Sequence, residues 1–395
     1  MRVHFIHIRS SKTDAVPLLL VPSFPLTNLS LGKDFLSELA EGDGEGKAFH
    51  VVVPSIPGLG FSDAFSSAAL EEQALVYTAG LFDALMGRLG YESYLVSGTG
   101  SGTDSVAGID YHLPRLIGER FKERCLGVHL LGPIAEAPRL GEGIWEWVKW
   151  RVAGFFHGSW WGYDEADWKT LGEERRVRRL AQKKGEQAPL LPRRETKGYG
   201  AVGMVGLREP NTFAYALCDS PVGLLSLVCS ALRSKSPKHQ LTKTEIIDVT
   251  QLAWLPGPEA GARFWAAAVK EVEQLERKSV PSRVAVTVFG ADVLDSDGYT
   301  CPAWASRKHE VVFAQRVAGR AGLLAWERSN VLISGIRGLA NAIEAVDHRL
   351  KTRPLEEVVV FGEEAIPEEA GDDDEGHGMQ LDVESPDTVV ALKLT

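Results

Sequence analysis

The chain has 395 residues, 44% hydrophobic and 24% charged, with a formal charge of −10. Those values describe a globular protein long enough to bury a large core in one or two domains. Thirteen of the 53 acidic residues fall within 356–387, a stretch without Lys or Arg, so the rest is near neutral and offers no electrostatic footprint for nucleic acid.

Met1–His7 alternates as a strand does rather than as a signal peptide, and no apolar run approaches the roughly 20 residues that span a bilayer. Cys125, Cys218, Cys229 and Cys301 lack metal-like or disulfide-like spacing, which fits a reducing, cytoplasmic setting. Neither a metal site nor a cofactor is expected, since no phosphate-cradling loop or dinucleotide fingerprint is present.

Apolar runs then recur with helical segments between them, the pattern of an α/β fold. Val16–Pro22 reads only in part as a strand, through Leu18–Val21. His50–Pro54, Ser93–Ser97, Leu126–Leu131, Val284–Phe289 and Glu310–Ala314 read as buried parallel strands, and 72–89 and 331–349 as helices. A long insertion, about 135–278, interrupts the strand pattern, where a lid over the strand C-termini is expected. The resulting division is 1–134 and 279–350 as two halves of a core, 135–278 as a helical lid, and 351–395 as an acidic, partly disordered extension. Within that extension, Asp387–Leu394 could add an edge strand.

Leu95–Thr103 carries the frame of a nucleophile elbow, a sharp strand-to-helix turn that lifts one reactive side chain above the sheet. Gly98 and Gly102 supply the small flanking residues that such a turn requires. The residue centred between them is Gly100, which has no side chain. Ser101, one step further, reads as a serine at the start of the next helix. As a nucleophile it would put β-branched Thr99 and Thr103 at the crowded positions.

Four blocks give the chain a family resemblance over about residues 3–349. They are His4–Ser10 followed by Val16–Val21, Phe49–Ala64 (FHVVVPSIPGLGFSDA), Pro210–Leu225 (PNTFAYALCDSPVGLL) and Trp326–Arg328 with the helix after it. The chain resembles the microsomal-type epoxide hydrolases, which implies an α/β-hydrolase fold with a mostly parallel sheet and an inserted helical lid. In that family an elbow Asp attacks the epoxide and a His, oriented by a second carboxylate, hydrolyses the resulting ester. Two lid tyrosines hold the epoxide oxygen, and a loop after an early strand helps form the oxyanion hole.

Carried onto this sequence, the nucleophile position becomes Gly100 and the base position Gly322. The oxyanion loop reads Pro22–Pro25, which points to Phe24 and Ser101 beside the oxyanion pocket. The orienting carboxylate survives as Asp292, the first lid tyrosine as Tyr199, and the second is replaced by Trp265. An indole N–H can donate one hydrogen bond but cannot accept one. Glycine supplies neither nucleophile nor base, so the family's ester route is closed. Asp292, desolvated and without its His, is either a general acid–base group or a relic held by loop amides. Restoring Gly100→Asp together with Gly322→His should revive ordinary hydrolysis if the scaffold geometry persists.

Other residues were weighed against plainer roles. His377 reads as a solvated tail histidine, and His4, His7, His50, His112, His129, His157, His239, His309 and His348 match no base position. Trp145, Trp147, Trp150, Phe155, Phe156, Trp160, Trp161 and Trp168 suit lid packing, a large apolar pocket or, less well, membrane contact. Arg175–Arg179 reads as a solvated helix face, partly neutralised by Glu173 and Glu174.

Relatives of this type carry a long N-terminal arm before the first strand. Here the chain starts almost at that strand: either the sequence is short at its start, or apolar surface is exposed that a partner or dimer would cover. The sequence therefore suggests an epoxide hydrolase-like enzyme that opens or cyclises a hydrophobic secondary-metabolite epoxide by acid–base catalysis without an ester. The alternative is an inactive relative that binds a small hydrophobic ligand or a partner in the former cleft.

Overall fold

The computed structural model describes residues 1–42, 46–103, 105, 108–141, 143–183, 210–236, 241–275, 282–290, 299–350 and 388–393. Eight strands form one sheet: β1 (Arg2–Ile8), β2 (Val16–Val21), β3 (Phe49–Pro54), β4 (Tyr94–Gly98), β5 (Cys125–Leu131), β6 (Arg283–Gly290), β7 (Glu310–Ala318) and β8 (Thr388–Lys393). Their order is β7-β6-β5-β4-β2-β3-β1-β8. β2 to β7 are mutually parallel, whereas β1 runs antiparallel to both β3 and β8. The expected edge strand at 387–394 is thus β8, paired with β1 from Arg2↔Lys393 to His7↔Thr388.

β2 is buried along its whole length, beyond the partial strand expected of it. Leu19 and Val21 enter one core with Val52, Val96 and Phe82, while Leu18 and Leu20 enter the other with Phe35, Leu39 and Ile336. Each such side chain contributes about 1.5–3 kcal/mol on burial, and two-faced burial is why central strands read as continuous apolar runs. β7 departs from the expected full burial: it is an edge strand, and most of its residues are half-buried or exposed.

Helices α2 (Ser67–Arg88) and α3 (Ile109–Arg120) cover one face of the sheet; α1 (Lys33–Glu41) and a long helix at Ser329–Glu344 cover the other. α2 is two helical pieces joined at Gln73, whose φ and ψ are −158° and 64°. Between β5 and β6 lie α4 (Ile144–Phe156), α5 (Glu165–Lys183), α6 (Pro210–Cys218), α7 (Pro221–Lys235), α8 (Lys243–Trp254) and α9 (Pro258–Leu275). Glu271 of α9 accepts hydrogen bonds from Leu75 N–H at 2.6 Å and Val76 N–H at 3.1 Å, capping the second piece of α2. This lid contact explains where α2 breaks.

A second lid clamp sits on α5. Asp167 is fully buried and accepts from Tyr299 Oη at 2.5 Å and from Arg316 Nε and Nη2 at 2.9 and 3.0 Å. Arg175, Arg176 and Arg179 are exposed, as a solvated helix face should be. Among the described residues no single helix is long and apolar enough to cross a membrane. α6 with the first thirteen residues of α7 has the composition but bends by 114°.

His129 on β5 is fully buried between Ser97 Oγ at 3.0 Å and Thr287 Oγ1 at 2.8 Å. Burial pushes its imidazole down to about 3, and that of His309 to about 4. Both stay neutral in the native state, whereas their unfolded forms take up protons as pH falls below about 6.5. Native stability is therefore complete above that value and lost on acidification towards the folded values. Urea unfolding at pH 7 and pH 5 should show a loss of about 2 kcal/mol for each such histidine.

Candidate active site: a filled elbow beneath an apolar cavity

β4 ends at Gly98, but the following helix does not begin until Ile109. Ser101 therefore does not open that helix, contrary to the sequence expectation. It is buried within the intervening turn, with its hydroxyl 2.9 Å from Thr103 Oγ1. Glycine is required in this turn on steric grounds, since a Cβ at Gly102 would lie 2.4 Å from Tyr111 Cβ. The backbone N–H of Gly102 is also committed, to the Leu131 carbonyl at 2.8 Å.

Gly100 is the centre of the site. A Cβ built there would lie 2.0 Å from Asp110 Oδ2 and 2.3 Å from Ser23 Oγ. The space beside the elbow apex is thus already occupied, by a carboxylate from the first turn of α3 and a hydroxyl from the β2 loop. Ser23 is fixed in turn, because its N–H donates to Thr99 Oγ1 at 2.9 Å.

The Asp110 side chain is 2% exposed. Its Oδ2 accepts from Ser23 Oγ at 2.6 Å and its Oδ1 from Phe24 N–H at 2.7 Å. Lys235, the last residue of lid helix α7, donates to Ser23 Oγ at 2.8 Å and to the Phe24 carbonyl at 3.0 Å. Its Nζ lies 3.8 Å from Asp110 Oδ2. Burial pushes the Asp110 carboxyl up from the ordinary carboxylate range, against opposing pulls from Lys235, Ser23 and the Phe24 N–H. Helix ends add to the pairing: the carboxylate sits at a helix N-terminus and the ammonium at a helix C-terminus.

Above this network lies an apolar cavity of about 100 Å³ between core and lid. Phe24, Leu59, Phe213, Leu232 and Trp265 line it, and among the described residues Lys235 is the one charged residue in its wall. Phe24 lines this cavity, but its N–H is taken by Asp110 and is not a free oxyanion donor. Trp265 on α9 is buried and also lines the cavity. Ser101 does not line it. Trp145, Phe155, Phe156, Trp160 and Trp161 are exposed and Trp168 is packed in the core, so none of these lines it either.

Gly322 lies between β7 and a short helix at Leu324–Glu327, with φ +67°, a conformation that L side chains rarely adopt. A Cβ there would lie 2.8 Å from Glu327 Oε2. Asp292, Tyr199 and His377 fall outside the described residues. Among the described residues no group of three or more His, Cys, Asp or Glu is arranged to hold a metal ion.

The sequence reading missed Asp110 and Lys235. Both stand in ordinary helical contexts, one in a first turn and one at an end, where charges of these signs are common. Only the packing of α3 against the end of β4 and the docking of α7 bring them beside Ser23.

No family profile matches the chain. It is 24% identical over 364 residues to epoxide hydrolase 1 of Sus scrofa, covering 87% of this chain and 72% of that protein. A relative from Stigmatella aurantiaca that carries an epoxide hydrolase name is 25% identical over 276 residues, 67% of this chain and 52% of the relative. The chain thus spans about half the length of that relative. Among solved structures, the Aspergillus niger epoxide hydrolase superposes with a TM-score of 0.60 at 21% identity, over 87% of this chain and 76% of the other. The chain has the α/β-hydrolase fold, and its curated relatives are epoxide hydrolases of the microsomal and juvenile hormone types.

The filled apex corrects one expectation. Gly100→Asp with Gly322→His should not revive ester-forming hydrolysis, because the new carboxylate meets Asp110 and Ser23 and the new imidazole meets strained backbone. Gly100→Ala alone should cost about 1–3 kcal/mol, the usual penalty of overpacking. Asp110→Ala should cost less in the Gly100→Ala background than in the native protein, a non-additivity read by chemical denaturation, since the two changes act on one shared volume.

Proposed function

We propose that this epoxide hydrolase-like α/β-hydrolase opens or cyclises the epoxide of a neutral, lipophilic secondary metabolite without forming an enzyme ester. The observation that carries this reading is the missing side chain at Gly100, together with the absence of room for one. The elbow offers no nucleophile, so the atom attacking the epoxide carbon is water or a hydroxyl of the substrate itself. The apolar wall favours an uncharged ligand. A cavity of about 100 Å³ is smaller than the roughly 150 Å³ that holds a benzene ring. It therefore takes the reacting end of a larger molecule rather than the whole of it. Asp292 remains our candidate for a general base or acid, and Tyr199 for a second hydrogen-bond donor. Trp265 shapes the pocket.

Turnover of 1,2-epoxyhexane and bulkier lipophilic epoxides in water enriched in oxygen-18 tests the proposal. Direct attack by water puts the heavy oxygen into the diol in a single turnover, with no adduct in the intact protein mass. An ester route delivers an unlabelled carboxylate oxygen first and leaves an adduct, which would overturn the reading. A ligand that raises the melting temperature without any product from the whole panel would favour a binding protein instead.

A further inference from the structure

We propose that Lys235 is the polar anchor of the cavity. Its ammonium would hold the oxygen of a neutral lipophilic ligand and, for an epoxide, donate the proton that the ring oxygen takes up. This rests on the reading of the site as an epoxide-opening cleft and deepens it. The geometry has three parts. An ammonium has three N–H donors, and among the described residues Lys235 spends two, on Ser23 Oγ at 2.8 Å and the Phe24 carbonyl at 3.0 Å. Asp110 Oδ2, at 3.8 Å, lies beyond hydrogen-bond length. One donor is therefore left on a residue that is itself part of the cavity wall.

The charge balance selects the ligand. Lys235 and Asp110 together are neutral, so a bound carboxylate would gain one attraction and meet one repulsion in a poorly screened site. A neutral acceptor such as an epoxide, amide or ketone oxygen takes the spare N–H without that conflict. Ser23 acts as a positioning residue: its hydroxyl accepts from Lys235 and donates to Asp110, which fixes the ammonium of this cavity-lining residue. It is not placed as a nucleophile, because its proton is directed to the carboxylate and it does not line the cavity.

In the reaction the C–O bond of the ring breaks with its electron pair remaining on oxygen, and that oxygen takes a proton from Nζ. Water, or a substrate hydroxyl, forms the new bond to carbon and releases a proton to solvent. The free amine then recovers a proton, so the cycle closes without any oxidant or co-reactant.

Binding of hexanamide, hexanoate and pentane, measured by calorimetric titration, tests the anchor independently of turnover. The native protein should prefer hexanamide to hexanoate. Lys235→Met should weaken hexanamide at least tenfold, the worth of one hydrogen bond to a charged group, and change pentane, which has the same alkyl chain without the amide, less than twofold. Should that variant fail to fold around an unpaired Asp110, Lys235→Met with Asp110→Asn leaves no buried charge and the same losses are expected. Hexanamide binding unchanged in either folded variant, or hexanoate binding more tightly than hexanamide to the native protein, would overturn the proposal. Diol formation from 1,2-epoxyhexane should also fall at least 100-fold in the variants. A native protein inactive on every epoxide would refute the functional reading, while the amide and pentane comparison would still decide the role of Lys235.

Discussion

The volume beside Gly100 admits either a side chain at that residue or the Asp110–Ser23–Lys235 network, and it holds the network. A carboxylate oxygen 2.0 Å from the place of a Cβ is not a contact that small shifts can relieve. Asp110 is fixed by a backbone N–H on one oxygen and a hydroxyl on the other, so it cannot swing away without leaving buried donors unmet. The glycine is therefore a condition of the present site as well as the loss of a nucleophile. The same carboxylate also uses the Phe24 N–H. A single residue of α3 thereby closes off the nucleophile's space and one donor beside it.

Buried carboxylates also decide how the lid sits. Asp110 meets Lys235 of α7, Glu271 of α9 caps the broken α2, and Asp167 of α5 binds Arg316 of β7 and Tyr299. Such groups gain little net stability, because desolvation offsets most of their attraction, but a partner removed leaves a costly orphan. Their effect is to allow one docking of lid on core and penalise others. The cavity inherits its shape from that docking, since its walls come from the loops after β2 and β3 on one side and α6 to α9 on the other.

The sheet was largely legible in the sequence, and the site only in part. The continuous apolar runs of the central strands follow from burial on both faces, which periodicity reports directly. Even the edge strand at Thr388–Lys393 opens on a β-branched run, Thr388–Val390. Gly100 and Gly322 could be found from their flanking motifs, which a fold-level resemblance places in register. The misplaced start of α3 has a physical cause: Gly98, Gly100 and Gly102 give the chain a flexible turn that one local pattern cannot distinguish from a tight elbow. Asp110, Ser23 and Lys235 are separated by 87 and 125 residues in sequence, and no local signal links them.

On the proposed route without an ester, an enzyme would draw its rate from fewer sources. A positioned acid contributes about 10²–10⁴-fold, modest beside what most enzymes achieve. The strained ring supplies driving force, but a water molecule in a largely apolar cavity is held by few partners. A hydroxyl already within the substrate is different, because a well-oriented internal group reaches effective molarities of about 10⁵–10⁸ M. A cleft that grips the epoxide oxygen with one ammonium and shapes the rest of the molecule with apolar walls is thus better matched to cyclisation than to hydrolysis. It needs to supply only the acid and the conformation, and those are the two things an apolar pocket with a half-buried lysine in its wall can provide.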